Sequence, residues 1–147
     1  MTADLFLAVI EHSPKITLVK KTCHYLQVNI SNKHMLDDVA KNMGTNRSKL
    51  AASFKDVLGL GVFEFLRKIR MEKAKLLLVM TDTPIQQVAF DVGCENSANF
   101  STTYKKYYGL SPREQRNLSL DLKEISLKFS RSINDPEYLA DNVITIK

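Results

Sequence analysis

The sequence is short of everything that would build a metal site, a disulfide scaffold or a membrane span. It holds two cysteines, Cys23 and Cys94, in 147 residues. They lie far apart and form no C-x-x-C pair, which argues against zinc and against a disulfide framework, and for a reduced, cytoplasmic home. The three histidines, His12, His24 and His34, stand without metal-ligand spacing and read as single exposed or half-buried side chains. No metal and no other cofactor is expected. The apolar run Leu5-Phe6-Leu7-Ala8-Val9-Ile10 follows Asp4, has no basic segment before it, and is too short for a signal peptide or a membrane span. No nucleophile-base pair, no paired carboxylates and no phosphate loop is visible, so the chain is not expected to be an enzyme.

Charge is unevenly placed. Residues 1–32 carry 3 basic and 2 acidic side chains, residues 118–147 carry 4 and 5, and residues 33–117 carry 14 and 9. The middle segment therefore matches the whole net charge of +5, as expected of a surface that attracts a polyanion. The hydrophobic share of 44% is enough for a real core.

The chain also repeats itself. Leu36-Asp37-Asp38-Val39-Ala40, Gly44, Phe54 and Gly59 are echoed by Ile85-Gln86-Gln87-Val88-Ala89, Gly93, Tyr104 and Gly109. An apolar residue followed by Val-Ala, a glycine, and then an aromatic on a second apolar face is the grammar of a helix-turn-helix. Glycine follows each short helix because a helix end needs a residue of positive φ.

Apolar spacing places the remaining elements. Leu5, Phe6, Val9 and Ile10 suit a first short helix ended by Ser13-Pro14, and Ile16, Val19, Cys23 and Leu26 a second ended by the turn-formers Asn29 to Lys33. Leu36 to Met43 is a short helix, and Thr45-Asn46 cap a reader helix running to about Val57. Val62 to Val79 holds neither proline nor glycine; with Val62, Phe65, Leu66, Ile69, Leu76 and Leu77 largely on one side, it forms a long connecting helix. Its length is about 27 Å at ~1.5 Å per residue, approaching the ~34 Å of one DNA turn. Thr83 caps the next short helix with Pro84 at its first position, and Asn96 to Tyr108 is the second reader. Ser111-Pro112 starts a last helix. Beyond Asn117 the apolar period is ambiguous between strand and helix, and Asn134-Asp135-Pro136 marks a turn.

From about Ile16 to Arg116 these residues resemble the DNA-binding domain of the AraC/XylS transcription regulators. The resemblance is carried by Pro84-Ile85-x-x-Val88-Ala89-x-x-x-Gly93, by Phe100-x-x-x-Tyr104-Lys105-x-x-x-Gly109-x-Ser111-Pro112-x-x-x-Arg116, and by Leu66-Arg67-x-x-Arg70-Met71-x-x-Ala74-x-x-Leu77-Leu78 in the connecting helix. Cys94 and Tyr104 stand where that family usually has an aromatic after the glycine and phenylalanine before the lysine. The resemblance implies an all-α fold of about seven helices: two helix-turn-helix subdomains joined by a long linking helix. Residues 1–14 would be a linker or partial helix and 15–117 the DNA-binding domain, with motifs at about 35–58 and 84–108 and the linking helix at about 62–79; residues 118–147 would be an extension of unknown role.

It also implies a sequence-specific, DNA-binding transcription regulator, expected to be an activator contacting RNA polymerase. Its reader helices, about 46–57 and 96–108, would enter adjacent major grooves. With Leu50, Phe54 and Val57 inward, Ser48, Ala52 and Lys55 point outward, and Thr45 and Ala51 lie at the edges. With Phe100, Tyr104 and Tyr107 inward, Ala98, Thr102 and Lys105 point outward from a helix beginning at Asn96, flanked by Ser97, Asn99 and Ser101. No arginine among these forks onto guanine; alanine and threonine suit thymine methyls, and Asn99 suits adenine. The expectation is an A·T-rich site read partly by shape, with Arg47, Lys49, Lys55, Lys105 and Lys106 on phosphates.

Plainer roles stand beside these. Val-Ala pairs are packing, surface lysines are often only solvated charge, Ser97 and Asn99 could cap their helix, and Cys94 is a small buried hydrophobe. The shortage of long polar side chains on both readers leaves a second function open, an antagonist of a related regulator that keeps the fold without strong base readout. Only about 15 residues precede the first helix of the domain, so the chain is expected to be either a stand-alone regulator or the carboxyl part of a longer protein whose sensor or dimerisation domain is missing here. The extension after Asn117 is expected to fold back, hiding Leu118, Leu122, Ile125 and Phe129.

Overall fold

A computed structural model describes residues 13–133; the expected helix at residues 4–12 and the turn at Asn134-Asp135-Pro136 lie outside the described residues. Among the described residues the chain is all-α. Its helices are α1 (Pro14–Val28), α2 (Leu36–Asn42), α3 (Arg47–Leu58), α4 (Val62–Met80), α5 (Ile85–Asp91), α6 (Ser97–Tyr108) and α7 (Pro112–Ile133). No helix among the described residues is long and apolar enough to cross a membrane.

The two short helices end alike, and the reason is backbone chemistry. The amide of Thr45 donates to Ala40 O at 2.9 Å and that of Gly44 to Lys41 O at 3.1 Å; in the second copy Cys94 donates to Ala89 O at 2.8 Å and Gly93 to Phe90 O at 3.0 Å. This paired reversal satisfies the last free carbonyls of each helix and requires a left-handed residue between them. Gly44 and Gly93 supply it, with φ of 74° and 89°. The alanine of each Val-Ala pair thus serves twice, as a small packing residue and as the carbonyl that closes the turn.

Each reader then starts on an asparagine. Asn46 Oδ1 accepts from the amide of Lys49 at 2.9 Å, and Asn96 Oδ1 from those of Ala98 and Asn99 at 2.9 and 3.2 Å, contacts worth about 1 kcal/mol at a helix start. The cap expected of Thr83 is not formed. Helix α5 begins after Pro84 with no side-chain cap; the Thr83 hydroxyl is instead hydrogen-bonded to that of Thr81 at 2.9 Å. At α7, Ser111 Oγ accepts from the Glu114 amide at 3.1 Å.

The linking helix α4 is the common wall of two cores. Val62, Leu66 and Ile69 close the first, with Val19, Leu26, Val39, Leu50 and Phe54; Met71, Ala74 and Leu78 close the second, with Val88, Val92, Phe100 and Tyr104. At about 100° per residue the two sets occupy faces of α4 roughly 140° apart. A single apolar side, as the spacing suggested, is therefore not what forms: Leu76 is 60% exposed, and the second face is built instead from Met71, Ala74 and Leu78. Leu26, Leu50 and Phe54 are fully buried, each worth roughly 1.5–3 kcal/mol.

Two arginines fasten the loops to this wall. Arg70 donates from Nε to Ile30 O at 3.0 Å and from Nη2 to Asn32 O at 2.8 Å, holding the loop after α1. Arg116 of α7 donates to Leu78 O and Thr81 O, both at 3.3 Å, closing the end of α4.

The ambiguous period after Asn117 resolves as helix. Helix α7 runs unbroken through residues 117 and 118 to Ile133, and the expected folding back does not occur among the described residues: Leu118, Leu122, Ile125 and Phe129 are 49–63% exposed.

Candidate nucleic-acid interface

Helices α3 and α6 each have 12 residues, each opening on its asparagine and ending on a left-handed glycine, Gly59 or Gly109. Their apolar faces are pinned first. In α3, Leu50 and Phe54 are fully buried, and Phe54 meets Phe65 of α4 edge-on with ring centroids 5.8 Å apart. In α6, Phe100 and Tyr104 are buried, and the Tyr104 hydroxyl donates to Gln115 Oε1 of α7 at 3.0 Å. Burial raises the Tyr104 phenol well above its ordinary range, so it stays a donor at neutral pH.

The third inward aromatic of α6 is Tyr108, not Tyr107. Tyr107 is 43% exposed, whereas Tyr108 packs against the second core, 4.8 Å from the Tyr104 ring and under the ammonium of Lys75 at 4.8 Å. Phe100, Tyr104 and Tyr108 follow the four-residue ridge that faces α4, and the cation over the ring favours that choice.

With those faces fixed, Arg47, Ser48, Lys49, Ala51, Ala52 and Lys55 of α3 are all exposed, as are Ala98, Asn99, Thr102, Lys105 and Lys106 of α6; Ser97 and Ser101 are half-buried. Arg47 lies 3.7 Å from Asp37 and Lys55 lies 4.0 Å from Glu64, pairs in which both partners are exposed and which water and salt weaken. The ion pairs among the described residues include none from Lys49, Lys105 or Lys106. The Thr102 hydroxyl donates to Ala98 O at 3.1 Å, leaving its methyl as its outward apolar group.

Three expected site residues carry other duties. Thr45 closes the turn after α2, is half-buried, and has its hydroxyl enclosed without a hydrogen-bond partner, so that hydroxyl is turned into the fold. Asn96 is exposed but its side-chain oxygen is engaged as the cap. Asn99 lines a cleft between the two subdomains that also contains His34, Phe63, Arg70 and Phe90.

Arg70 and Arg116 belong to the motifs of the family resemblance, but their bonds to carbonyls about 40 residues away are invisible to helical periodicity. Burial raises the thiols of Cys23 and Cys94 above their ordinary values, which keeps both protonated and unreactive near neutral pH. Among the described residues no group of three His, Cys, Asp or Glu side chains is placed to hold a metal.

Two reader helices of equal length, each presented by a short helix and a glycine turn on one linking helix, define a tandem helix-turn-helix protein. A family described as a helix-turn-helix domain matches residues 39–117, more than half of the chain. The arabinose operon regulatory protein of Salmonella typhimurium is 33% identical over 106 residues, 71% of this chain and 38% of that protein. The C-terminal domain of AraT, a response regulator from Geobacillus stearothermophilus, superposes with a TM-score of 0.68 at 34% identity, covering 72% of this chain and 88% of that one. The DNA-binding domain of AdpA, solved with a target DNA, shares the fold at TM-score 0.61 and 19% identity, with 72% and 92% covered. The chain belongs to the AraC-type helix-turn-helix family, whose members are DNA-binding transcription regulators and not enzymes. It spans well under half the length of the curated regulators it matches, 38% of the Salmonella protein and 13% of a Staphylococcus aureus one.

Proposed function

We propose that this chain is a sequence-specific regulator of transcription, acting in the cytoplasm as an activator that contacts RNA polymerase. In this proposal α3 and α6 enter adjacent major grooves of double-stranded DNA. One observation carries it: both readers are capped, pinned on the same helix, and left with exposed faces of small and basic side chains. The 19 residues of α4 rise about 28 Å, near the ~34 Å turn of duplex DNA. Ser48, Ala51 and Ala52 on α3 and Ala98, Ser101 and Thr102 on α6 would meet base edges, favouring thymine methyls and hence A·T-rich sites. Arg47, Lys49, Lys55, Lys105 and Lys106 would grip phosphates.

Polarisation of a labelled promoter duplex at several salt concentrations tests this. A steep salt dependence together with a preference of at least ~10³ over random duplex supports specific regulation. A second function, antagonism of a related regulator, is favoured by the lack of arginine among the exposed residues of α6. It predicts only weak binding, equal on every sequence.

A further inference from the structure

The last helix outruns the domain it belongs to. As far as Lys123, α7 is tied to α4, with Ser119 Oγ and Lys123 Nζ both donating to Val79 O at 3.3 and 2.8 Å. From Asp121 to Arg131 every residue is exposed. The segment nevertheless carries a continuous apolar stripe: Leu118, Leu122, Ile125 and Phe129 are 49%, 58%, 63% and 57% exposed, while Leu120 and Leu127, 50% and 55% exposed, stand as a separate pair on the opposite side. At about 100° per residue they fall within roughly 60° of one another, turned about a quarter of the circumference away from Ser119, which packs on the domain.

Steps of four, three and four residues are the seam of a heptad repeat, which takes the side chains of one partner helix between its own. A lipid surface calls for a broader apolar face with a basic margin, and residues 118–133 carry 3 basic and 2 acidic side chains. The seam has one charged border, formed by Asp121 and Lys128, each immediately before an apolar residue of the stripe. Two copies of α7 laid antiparallel, Leu118 against Phe129 of the partner subunit and Leu122 against Ile125 of the partner subunit, set Asp121 beside Lys128 of the partner subunit. Symmetry repeats that pair. In a parallel alignment Asp121 would meet only Ser126 of the partner subunit. Lys128 already holds Glu124 of its own helix at 3.0 Å, and the partner subunit's Asp121 brings a second carboxylate to the same ammonium.

We propose that this chain self-associates into a two-fold dimer through antiparallel pairing of the outer part of α7, with Leu118, Leu122, Ile125 and Phe129 as the seam. Such a contact lies at the small end of the ~1,200–2,000 Å² typical of specific interfaces, so dissociation on the order of micromolar is expected.

Sedimentation equilibrium of the full chain from ~1 to ~500 µM tests it. The expected mass rises from 16.7 kDa towards twice that value. The variant Leu122→Glu with Ile125→Glu stays monomeric and, compared with the wild-type chain at concentrations too dilute for pairing, keeps an unchanged unfolding midpoint, since both positions are exposed. Asp121→Lys and Lys128→Asp each weaken self-association by roughly tenfold, and an equimolar mixture of the two variants recovers it, because opposite charges again face each other. A wild-type chain that stays monomeric overturns the proposal, as does a lower unfolding midpoint in the double glutamate variant when both chains are too dilute to pair, which would mean that the chain's own ends cover the stripe. A dimer that survives the double glutamate variant overturns it too, and a mixture no tighter than its components overturns the antiparallel alignment.

Discussion

The guanidinium Nη2 of Arg70 lies 2.9 Å from the point where a Cβ on Gly93 would stand, and the carbonyl of Ile30 is equally close. The turn of the second motif is therefore packed against the arginine that holds the loop of the first subdomain. Gly44, its counterpart, has the same sign of φ but nothing within 4 Å of such a Cβ. Gly44→Ala should cost about 1 kcal/mol, the price of a left-handed alanine. Gly93→Ala must also displace Arg70 or the backbone, and roughly 3 kcal/mol is expected. Urea denaturation of both variants checks the ranking; equal losses would show that the Arg70 contact is unimportant.

Thr45 holds a hydroxyl that is buried without a partner. Valine keeps the shape and removes the group, so Thr45→Val should stabilise the chain by about 1 kcal/mol and leave DNA affinity unchanged. A fall in affinity with no gain in midpoint would return Thr45 to the reading face.

Tyr104 predicts a pH dependence. Its phenol is raised from an ordinary 10.0 by burial, with the neighbouring Tyr108 adding in the same direction, so above pH ~10 the unfolded chain releases a proton that the folded chain keeps. Stability is full below that pH and declines as pH climbs towards the folded value, with a slope of up to ~1.4 kcal/mol per pH unit for one proton. Tyr104→Phe should remove one proton from that slope between pH 10 and 11. At pH 7 it should cost about 1–2 kcal/mol by stranding the buried Gln115 amide. An unchanged alkaline slope would contradict this.

The two kinds of outward residue on α6 should separate in binding. Lys105→Ala or Lys106→Ala is expected to weaken all duplexes alike and reduce the salt slope by about 1 each. Thr102→Ser, which removes only a methyl, should leave the slope intact and relax preference at a single A·T position, by roughly 1 kcal/mol. Titration of matched and mismatched duplexes at two salt concentrations distinguishes them.

Much of this architecture is legible in the residues themselves, because the features involved are local. A left-handed turn demands Gly44 and Gly93, a helix start favours Asn46, and four-residue spacing selects Leu50 with Phe54 and Phe100 with Tyr104; the cap of α6, for which the residues offer Ser97 and Asn99, falls on Asn96 one position earlier. Tertiary choices are less readable. Tyr107 and Tyr108 are adjacent in the chain, and Lys75 on another helix favours the second. Leu76 fits an apolar stripe of α4, yet that helix serves two cores on different faces. Arg70 and Arg116 have the composition of DNA-binding residues and instead bind carbonyls far away in sequence. The exposed seam on α7 follows the helical period correctly, but burial does not follow from period alone.

In the proposed function, one chain presents two readers to consecutive major grooves. Hydroxyl-radical footprinting combined with guanine and adenine methylation interference on a selected site reads out that arrangement. Two major-groove contacts on one face of the duplex, ~10 base pairs apart, are predicted. Insertion of about half a helical turn between them should abolish tight binding. A single protected patch, or affinity indifferent to that insertion, would contradict it.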